Sequence, residues 1–164
     1  MRVLGVDPGL QVTGYGLLDV DGEQVAMVEA GVVRTDGREP IGPRLAEIAR
    51  EVQAILEQFR PDAVAIEELY SHYGHPRTAI IMGHARGIVF LKAAEAGLAV
   101  YPYASTRIKK SLTGNGRAGK LQVQRMIAST LGLSCPPEPP DVADALAVAL
   151  CHCRAQMHHC VEVA

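Results

Sequence analysis

The chain opens with a short apolar segment that ends in an acidic side chain. Residues 3–6 are apolar or glycine, Asp7 follows them, and Pro8 and Gly9 then turn the chain. Asp7 is therefore predicted to lie at the end of a buried strand, at the rim of a sheet. Because a charged side chain is seldom buried unless it is paired or binds a metal, we interpret Asp7 as one member of a carboxylate cluster that holds divalent cations.

The order of the predicted elements indicates an α/β domain. Two strands follow the first, with Asp21 and Gly22 as a hairpin turn, and helices then alternate with strands. The predicted strands are residues 2–7, 12–20, 24–34, 63–66 and 99–103, and the predicted helices are residues 44–59, 78–96, 106–112, 120–131 and 141–154. This order predicts a five-stranded mixed sheet flanked by helices, in one domain over 1–155 with a C-terminal tail over 156–164.

Length and composition are those of a domain with a substantial core, since the chain has 164 residues and 48% hydrophobic content. The first strand begins at Arg2, nothing before it resembles a signal peptide, and no apolar run is long enough to cross a bilayer. The four cysteines do not form the pattern of a disulfide framework. We therefore expect a reduced cytoplasmic protein that does not enter a membrane.

The net charge of −2 conceals a basic middle segment. Over residues 69–137 the only acid is Glu95, and the segment carries +8 while the rest of the chain carries −10. Its basic residues are Arg77, Arg86, Lys92, Arg107, Lys109, Lys110, Arg117, Lys120 and Arg125. Such a segment is typical of a protein that binds a polyanion such as nucleic acid. The alternative is a set of solvated helix faces.

Three further acids lie where predicted elements begin or end. Glu67 follows the apolar segment 63–66, and Asp141 and Asp144 open the last helix on one face. Acids at this position also cap helices and offset the helix dipole, so the pair alone is consistent with a structural role. If the acids converge on Asp7, each close pair repels by about 4 kcal/mol at 4 Å and an effective dielectric near 20, and protons or cations must neutralise them.

A set of ligands made only of oxygen suits Mg²⁺ or Mn²⁺. Two such ions ~3.5–4 Å apart activate a water molecule and stabilise the leaving oxygen of a phosphodiester. Together with the basic segment, the four acids predict a nuclease that uses two Mg²⁺ or Mn²⁺ ions in its active site.

Four sequence blocks occur in the order and at the spacing of a known family. They are GVDPG from Gly5, TGYG from Thr13, AIE from Ala65 and DVADALA from Asp141. Together they resemble the RuvC family of Holliday junction resolvases over about residues 1–155, which implies a ribonuclease H-like fold. Similar Asp-Pro-Gly turns occur in ATPases of the actin-like fold, but 164 residues leave no second lobe to close over a nucleotide.

The resemblance implies roles for the matched residues. The catalytic and metal-binding carboxylates are Asp7, Glu67, Asp141 and Asp144, and Lys109 and Lys120 are the catalytic basic residues near the scissile phosphate. Tyr70 matches an aromatic residue that stacks on an unpaired base. The candidate DNA-binding residues are Tyr70, Tyr73, Arg77, Arg107, Lys109, Lys110, Arg117 and Lys120. Solvated lysines and an ordinary loop tyrosine are the alternatives.

The resemblance also implies an activity and partners. The expected activity is an endonuclease that resolves four-way DNA junctions by paired symmetric nicks with divalent metal ions, in homologous recombination and DNA repair. The expected partners are a second copy of the chain and a branch-migration motor complex of the RuvA–RuvB type. Helix 78–96 is apolar nearly all round, which favours cover by the sheet on one side and a second subunit on the other.

Two features are left outside this assignment. Glu68 adds an acid beside Glu67, and the alternation of side chains along a strand favours its pointing away. A zinc site in the C-terminal segment is disfavoured, because positions two apart on a helix diverge. Its candidate ligands are the run Cys151, His152 and Cys153, with His158, His159 and Cys160 after it. Two alternative functions stay open: a ribonuclease H-like nuclease for RNA or another branched substrate, and a junction-binding module whose metal is structural.

Overall fold

The computed structural model describes residues 1–69 and 76–162. Its strands are β1 Arg2–Asp7, β2 Val12–Asp21, β3 Gln24–Arg34, β4 Ala63–Glu67 and β5 Val100–Tyr103, and its helices are α1 Ile41–Phe59, α2 Pro76–Glu95, α3 Ser105–Thr113, α4 Lys120–Leu131 and α5 Pro140–Glu162. The strands form one sheet in the order β3-β2-β1-β4-β5. The first three are antiparallel and β4 and β5 run parallel to β1, which confirms the predicted mixed α/β sheet.

Two helices extend beyond their predicted bounds by three residues or more. Helix α1 begins at Ile41 rather than at residue 44, because Pro43 lies in the first turn, where a backbone N–H has no helical partner to lose. Helix α5 continues to Glu162, since residues 155–162 contain no glycine or proline. The segment predicted as a tail is therefore largely part of α5. No helix within the described ranges is long and apolar enough to cross a membrane.

Successive residues of the central strands face two separate hydrophobic cores. Val3 of β1 and Ala65 of β4 belong to the core formed with α3, α4 and α5. Leu4 and Ile66 belong to the core under α1 and α2. Side chains at odd positions of these two strands therefore point toward α5.

Helix α5 lies directly on β1 and β2, and residues 145–153 are all buried. This close packing depends on glycines in the two strands. A Cβ at Gly5 would overlap the carbonyl oxygen of Ala145, and one at Gly14 would overlap that of Asp141. The absence of side chains at these two positions fixes the start of α5 against the carboxyl end of β1.

Gly5→Ala is expected to lower the free energy of unfolding by at least about 2 kcal/mol, because the new methyl group overlaps helix backbone that cannot rotate away. Urea unfolding of Gly5→Ala beside Gly37→Ala measures this, since a Cβ at Gly37 meets no atom within 4 Å. Equal stability of the two variants would show that α5 does not depend on this close approach.

Candidate active site

The four predicted carboxylates lie on three elements that meet at one edge of the sheet. Asp7 ends β1 and Glu67 ends β4, and the residues just before them are paired in the parallel ladder. Both acids fall at positions that face α5. Asp141 lies over Gly14, which is the register partner of Asp7, and Asp144 follows one turn later on α5.

The electrostatics of the acids show that they act on one another. The pKa of Asp7 is raised from 3.8 to about 7, first because the carboxyl is buried and then because other acids are close. Those acids, in decreasing order of effect, are Asp144, Glu67 and Asp141. Burial is also the main cause of the raised pKa of Glu67, to which Asp144 adds. The structure thus concentrates negative charge at this edge.

Two lysines share a cavity with two of these acids, Glu67 and Asp144. The cavity measures about 230 Å³ and is lined by Glu67, Ser105, Ile108, Lys109, Lys120, Val123, Asp144 and Ala147. The ammonium of Lys120 lies 2.9 Å from Oδ2 of Asp144, and this contact raises the pKa of Lys120. The charge of Lys109 lowers the pKa of Glu67 and so opposes the effect of burial. The predicted catalytic lysines therefore lie beside the predicted carboxylates.

Ser105 was not predicted from the sequence, yet it is part of this site. Its hydroxyl is close enough to the Glu67 carboxylate to act as a hydrogen-bond donor, and it lowers the pKa of that group against the larger effect of burial. Ser105 opens α3 two residues after β5, and Tyr103 at the end of β5 is the register partner of Glu67. The available sequence signal was a polar residue just after β5. This signal points to Glu67 only when β5 is known to lie beside β4 in the sheet.

The donor set of the site fits a hard divalent cation. Its acids offer carboxylate oxygens, and neither a cysteine nor a histidine lines the cavity. In residues 1–69 and 76–162, no three acidic, histidine or cysteine side chains are placed close enough together to ligate one ion. The ammonium of Lys120 supplies the positive charge beside Asp144 instead. Ligation by three of the carboxylates therefore requires rotation of their side chains.

The other candidate DNA-binding residues are spread over a wider surface. Arg77 is exposed at the start of α2, and Arg117 is exposed in the loop before α4. Arg107 and Lys110 lie on a different side of α3 from Lys109, in a separate hollow. Tyr70 and Tyr73 lie outside the described residues.

Glu68 is exposed and its charge acts on Arg86 of α2, on the opposite side of the sheet from α5. This is the orientation that strand alternation predicts. Arg86 also donates a hydrogen bond from Nε to the carbonyl oxygen of Glu67, 3.4 Å away. The second glutamate is therefore not one of the clustered carboxylates.

The histidine of the Cys-His-Cys run belongs to the hydrophobic core. His152 is 1% exposed, and its Nδ1 lies 2.8 Å from the Tyr103 hydroxyl in a hydrogen bond. Its ring packs on that of Tyr101 with centroids 4.5 Å apart. Cys151 and Cys153 are buried free thiols. The side chains of Cys151, His152 and Cys153 are therefore part of the core packing, and those of His158, His159 and Cys160 lie outside the described residues.

Sequence comparisons identify a family. A family model described as crossover junction endodeoxyribonuclease RuvC matches residues 3–152. A protein of that name from Rhodopirellula baltica is 46% identical over 149 residues, which cover 91% of this chain and 84% of the relative. The corresponding protein of Caldicellulosiruptor saccharolyticus is 44% identical over 153 residues, covering 93% of this chain and 92% of its own.

Solved structures agree with the sequence relatives. A Thermus thermophilus RuvC structure has a TM-score of 0.89 and 38% identity, covering 96% of this chain and 97% of its own. The T. thermophilus RuvC in complex with a Holliday junction substrate has a TM-score of 0.92 and 38% identity, covering 97% and 96%. The ribonuclease H-like fold implied by the sequence blocks is thereby confirmed. The chain belongs to the RuvC family of crossover junction endodeoxyribonucleases.

Proposed function

We propose that this chain resolves four-way DNA junctions by paired symmetric nicks, in homologous recombination and DNA repair. The observation that carries the proposal is the convergence of four acids beside two lysines at one edge of the sheet. Family membership supports it, as does the T. thermophilus relative whose solved complex contains a Holliday junction. The proposed site of action is the cytoplasm.

The proposed role of Asp7, Glu67, Asp141 and Asp144 is to hold two Mg²⁺ or Mn²⁺ ions. RuvC nucleases depend on divalent metal ions in general. Such ions, when bound, activate water and stabilise the departing 3′ oxygen. Asp7 has a pKa of about 7, so about half of it is ionised at neutral pH, and a bound cation favours the ionised form that acts as a ligand.

The proposed role of Lys109 and Lys120 is to stabilise negative charge on the scissile phosphate. The side chain of Lys120 is 57% exposed, so its ammonium has room to leave Asp144 and reach a phosphate oxygen. Lys109 keeps Glu67 more acidic. Both lysines therefore balance the acids before DNA arrives and contact the phosphate afterwards.

Ser105→Ala is expected to reduce cleavage by about 10- to 100-fold, because partners that orient metal ligands contribute effects of this size. Ser105→Thr keeps a hydroxyl and is expected to recover most of the activity. Single-turnover cleavage over a series of Mg²⁺ concentrations measures both variants. A Ser105→Ala enzyme with the wild-type rate and metal dependence would show that Glu67 is oriented without this hydrogen bond.

We propose that a second copy of the chain covers the outer face of α2. Ala85, Val89 and Ala93 of this helix are buried, whereas Ile80 is 62% exposed and Leu91 is 51% exposed. Large apolar residues on the outer face of an otherwise packed helix favour contact with a partner. A two-fold dimer supplies two equivalent sites for two symmetric nicks. By family membership, a branch-migration motor complex of the RuvA–RuvB type is the proposed further partner.

The proposed substrate is tested with a panel of a four-way junction, a flap, linear duplex DNA and an RNA–DNA hybrid, each with Mg²⁺ or Mn²⁺. Paired nicks at symmetric positions of the junction, with little cutting of the others, are expected. Preferential cutting of the hybrid or the flap would favour another ribonuclease H-like nuclease. Tight junction binding without cleavage would indicate a junction-binding module with a structural metal.

A further inference from the structure

A second basic hollow lies between α3 and α5, apart from the carboxylate cavity. It has a volume of about 380 Å³ and is lined by Arg107, Lys110, Ser111, Cys151, Arg154 and Ala155. Three of these six residues are cationic and none is acidic. It shares no lining residue with the cavity that holds Lys109 and Lys120. The two basic sites therefore lie on different sides of α3.

Two of the three cationic groups of the hollow make contacts within the fold. The guanidinium of Arg154 donates a hydrogen bond to the carbonyl oxygen of Ser111, which ties α5 to α3. The guanidinium of Arg107 lies 5.0 Å from the centre of the Tyr103 ring. Burial raises the pKa of the Cys151 thiol, and the charges of both guanidiniums lower it to a smaller degree, so both lie near this buried residue.

The positive charge of the hollow has no carboxylate partner in the part of the chain that the structure describes. None of the ion pairs found there involves Arg107, Lys110 or Arg154. Like charges that share a hollow repel one another unless an anion is present. Guanidinium and ammonium groups together form a typical phosphate site, since the first offers paired donors and the second a point charge.

We propose that Arg107, Lys110 and Arg154 bind a backbone phosphate of the DNA, away from the phosphate that is cut. This inference rests on the proposed function. The second phosphate lies on the other side of α3 from the carboxylate cavity.

A contact of this kind has a defined signature. Phosphate contacts fix the position of a protein on DNA and carry no base specificity. Each one adds about 0.9 to the slope of log affinity against log salt concentration. When one contact is removed, the fall in affinity between 50 and 200 mM salt therefore becomes about 3.5-fold smaller, and this holds for any junction sequence.

The test measures binding of an immobile four-way junction without added divalent metal, at 50 to 200 mM salt. Arg154→Gln and Lys110→Gln are each expected to reduce the slope by up to about 0.9, which is the value for the one phosphate that they share. Arg154→Lys, which keeps the charge, is expected to keep the wild-type slope. The matched control is Arg50→Gln, which removes an exposed charge from α1 on the other face of the sheet and is expected to leave the slope unchanged.

If Arg154→Gln and Lys110→Gln both show the wild-type slope, this inference is overturned while the proposed function stands. An equal loss in Arg154→Lys and Arg154→Gln, with Lys110→Gln unchanged, would overturn it as well, because the Ser111 contact rather than the charge would be responsible. If the wild-type protein itself does not bind the junction, the proposed function fails and the inference fails with it.

Discussion

Asp7→Asn is expected to reduce junction cleavage by at least about 100-fold while junction binding persists. Asp7 is the acid on which burial and all three other carboxylates act together, so the amide removes the central negative charge of the proposed metal site. Metal ions supply several kcal/mol of transition-state stabilisation, and each 1.36 kcal/mol is a factor of ten in rate. Binding persists because contacts with phosphates elsewhere do not depend on this carboxylate.

The matched control is Glu68→Gln, which removes one negative charge immediately after β4. Because Glu68 acts on Arg86 on the other side of the sheet, this variant is expected to cleave at about the wild-type rate. Cleavage rates and junction affinities of the two variants are measured in parallel. Loss of binding in Asp7→Asn to the same degree as loss of cleavage would make Asp7 a structural residue.

The metal-free protein is expected to become less stable as the pH rises from 4 to 7. The pKa of Asp7 rises from 3.8 to about 7 on folding, so between these pH values the unfolded chain releases a proton that the folded chain retains. The free energy of unfolding therefore falls as the pH rises through this window, by up to roughly 4 kcal/mol at 1.36 kcal/mol per pH unit. The raised pKa of Glu67 acts in the same direction.

Asp7→Asn removes the ionisation that causes most of this decrease in the free energy of unfolding. The variant is therefore expected to be more stable than the wild type at pH 8. Urea unfolding in EDTA at pH 5, 6, 7 and 8 measures the difference between the two proteins. Ion-paired acids such as Asp19 and Asp36, whose pKa values are lowered, contribute equally to both proteins and cancel. Parallel pH profiles for the two proteins would show that Asp7 ionises freely in the folded state.

The sheet and its flanking helices could be predicted because their signals are local. Apolar runs that end in an acid or a turn mark β1 and β4, and a periodic apolar stripe marks α1. The errors are also local in origin. The prediction starts α1 after Pro43, although a proline fits the first helical turn, and it ends α5 too early because no glycine or proline marks the end of that helix.

The site was predictable only in part. Each of the four acids ends or begins an element, which singles it out in the sequence. Their proximity depends on the absence of side chains at Gly5 and Gly14, which lets α5 approach the sheet. Ser105 and Arg154 carry no such local signal, because each acquires its partner only when α3 packs beside β4 or α5. The periodicity of a single segment does not predict contacts between segments that are distant in the sequence.

The central claim is that acids from three distant segments surround a common cation site, and iron-directed cleavage of the polypeptide tests it most directly. Fe²⁺ binds a given site of oxygen ligands at least as tightly as Mn²⁺, and with ascorbate and peroxide it cuts backbone close to the bound ion. We predict cuts near Asp7, near Glu67 and within 141–144 in one experiment, suppressed by excess Mg²⁺ and absent in Asp7→Asn. Cuts at only one of these segments, or cuts that Mg²⁺ does not suppress, would contradict the account.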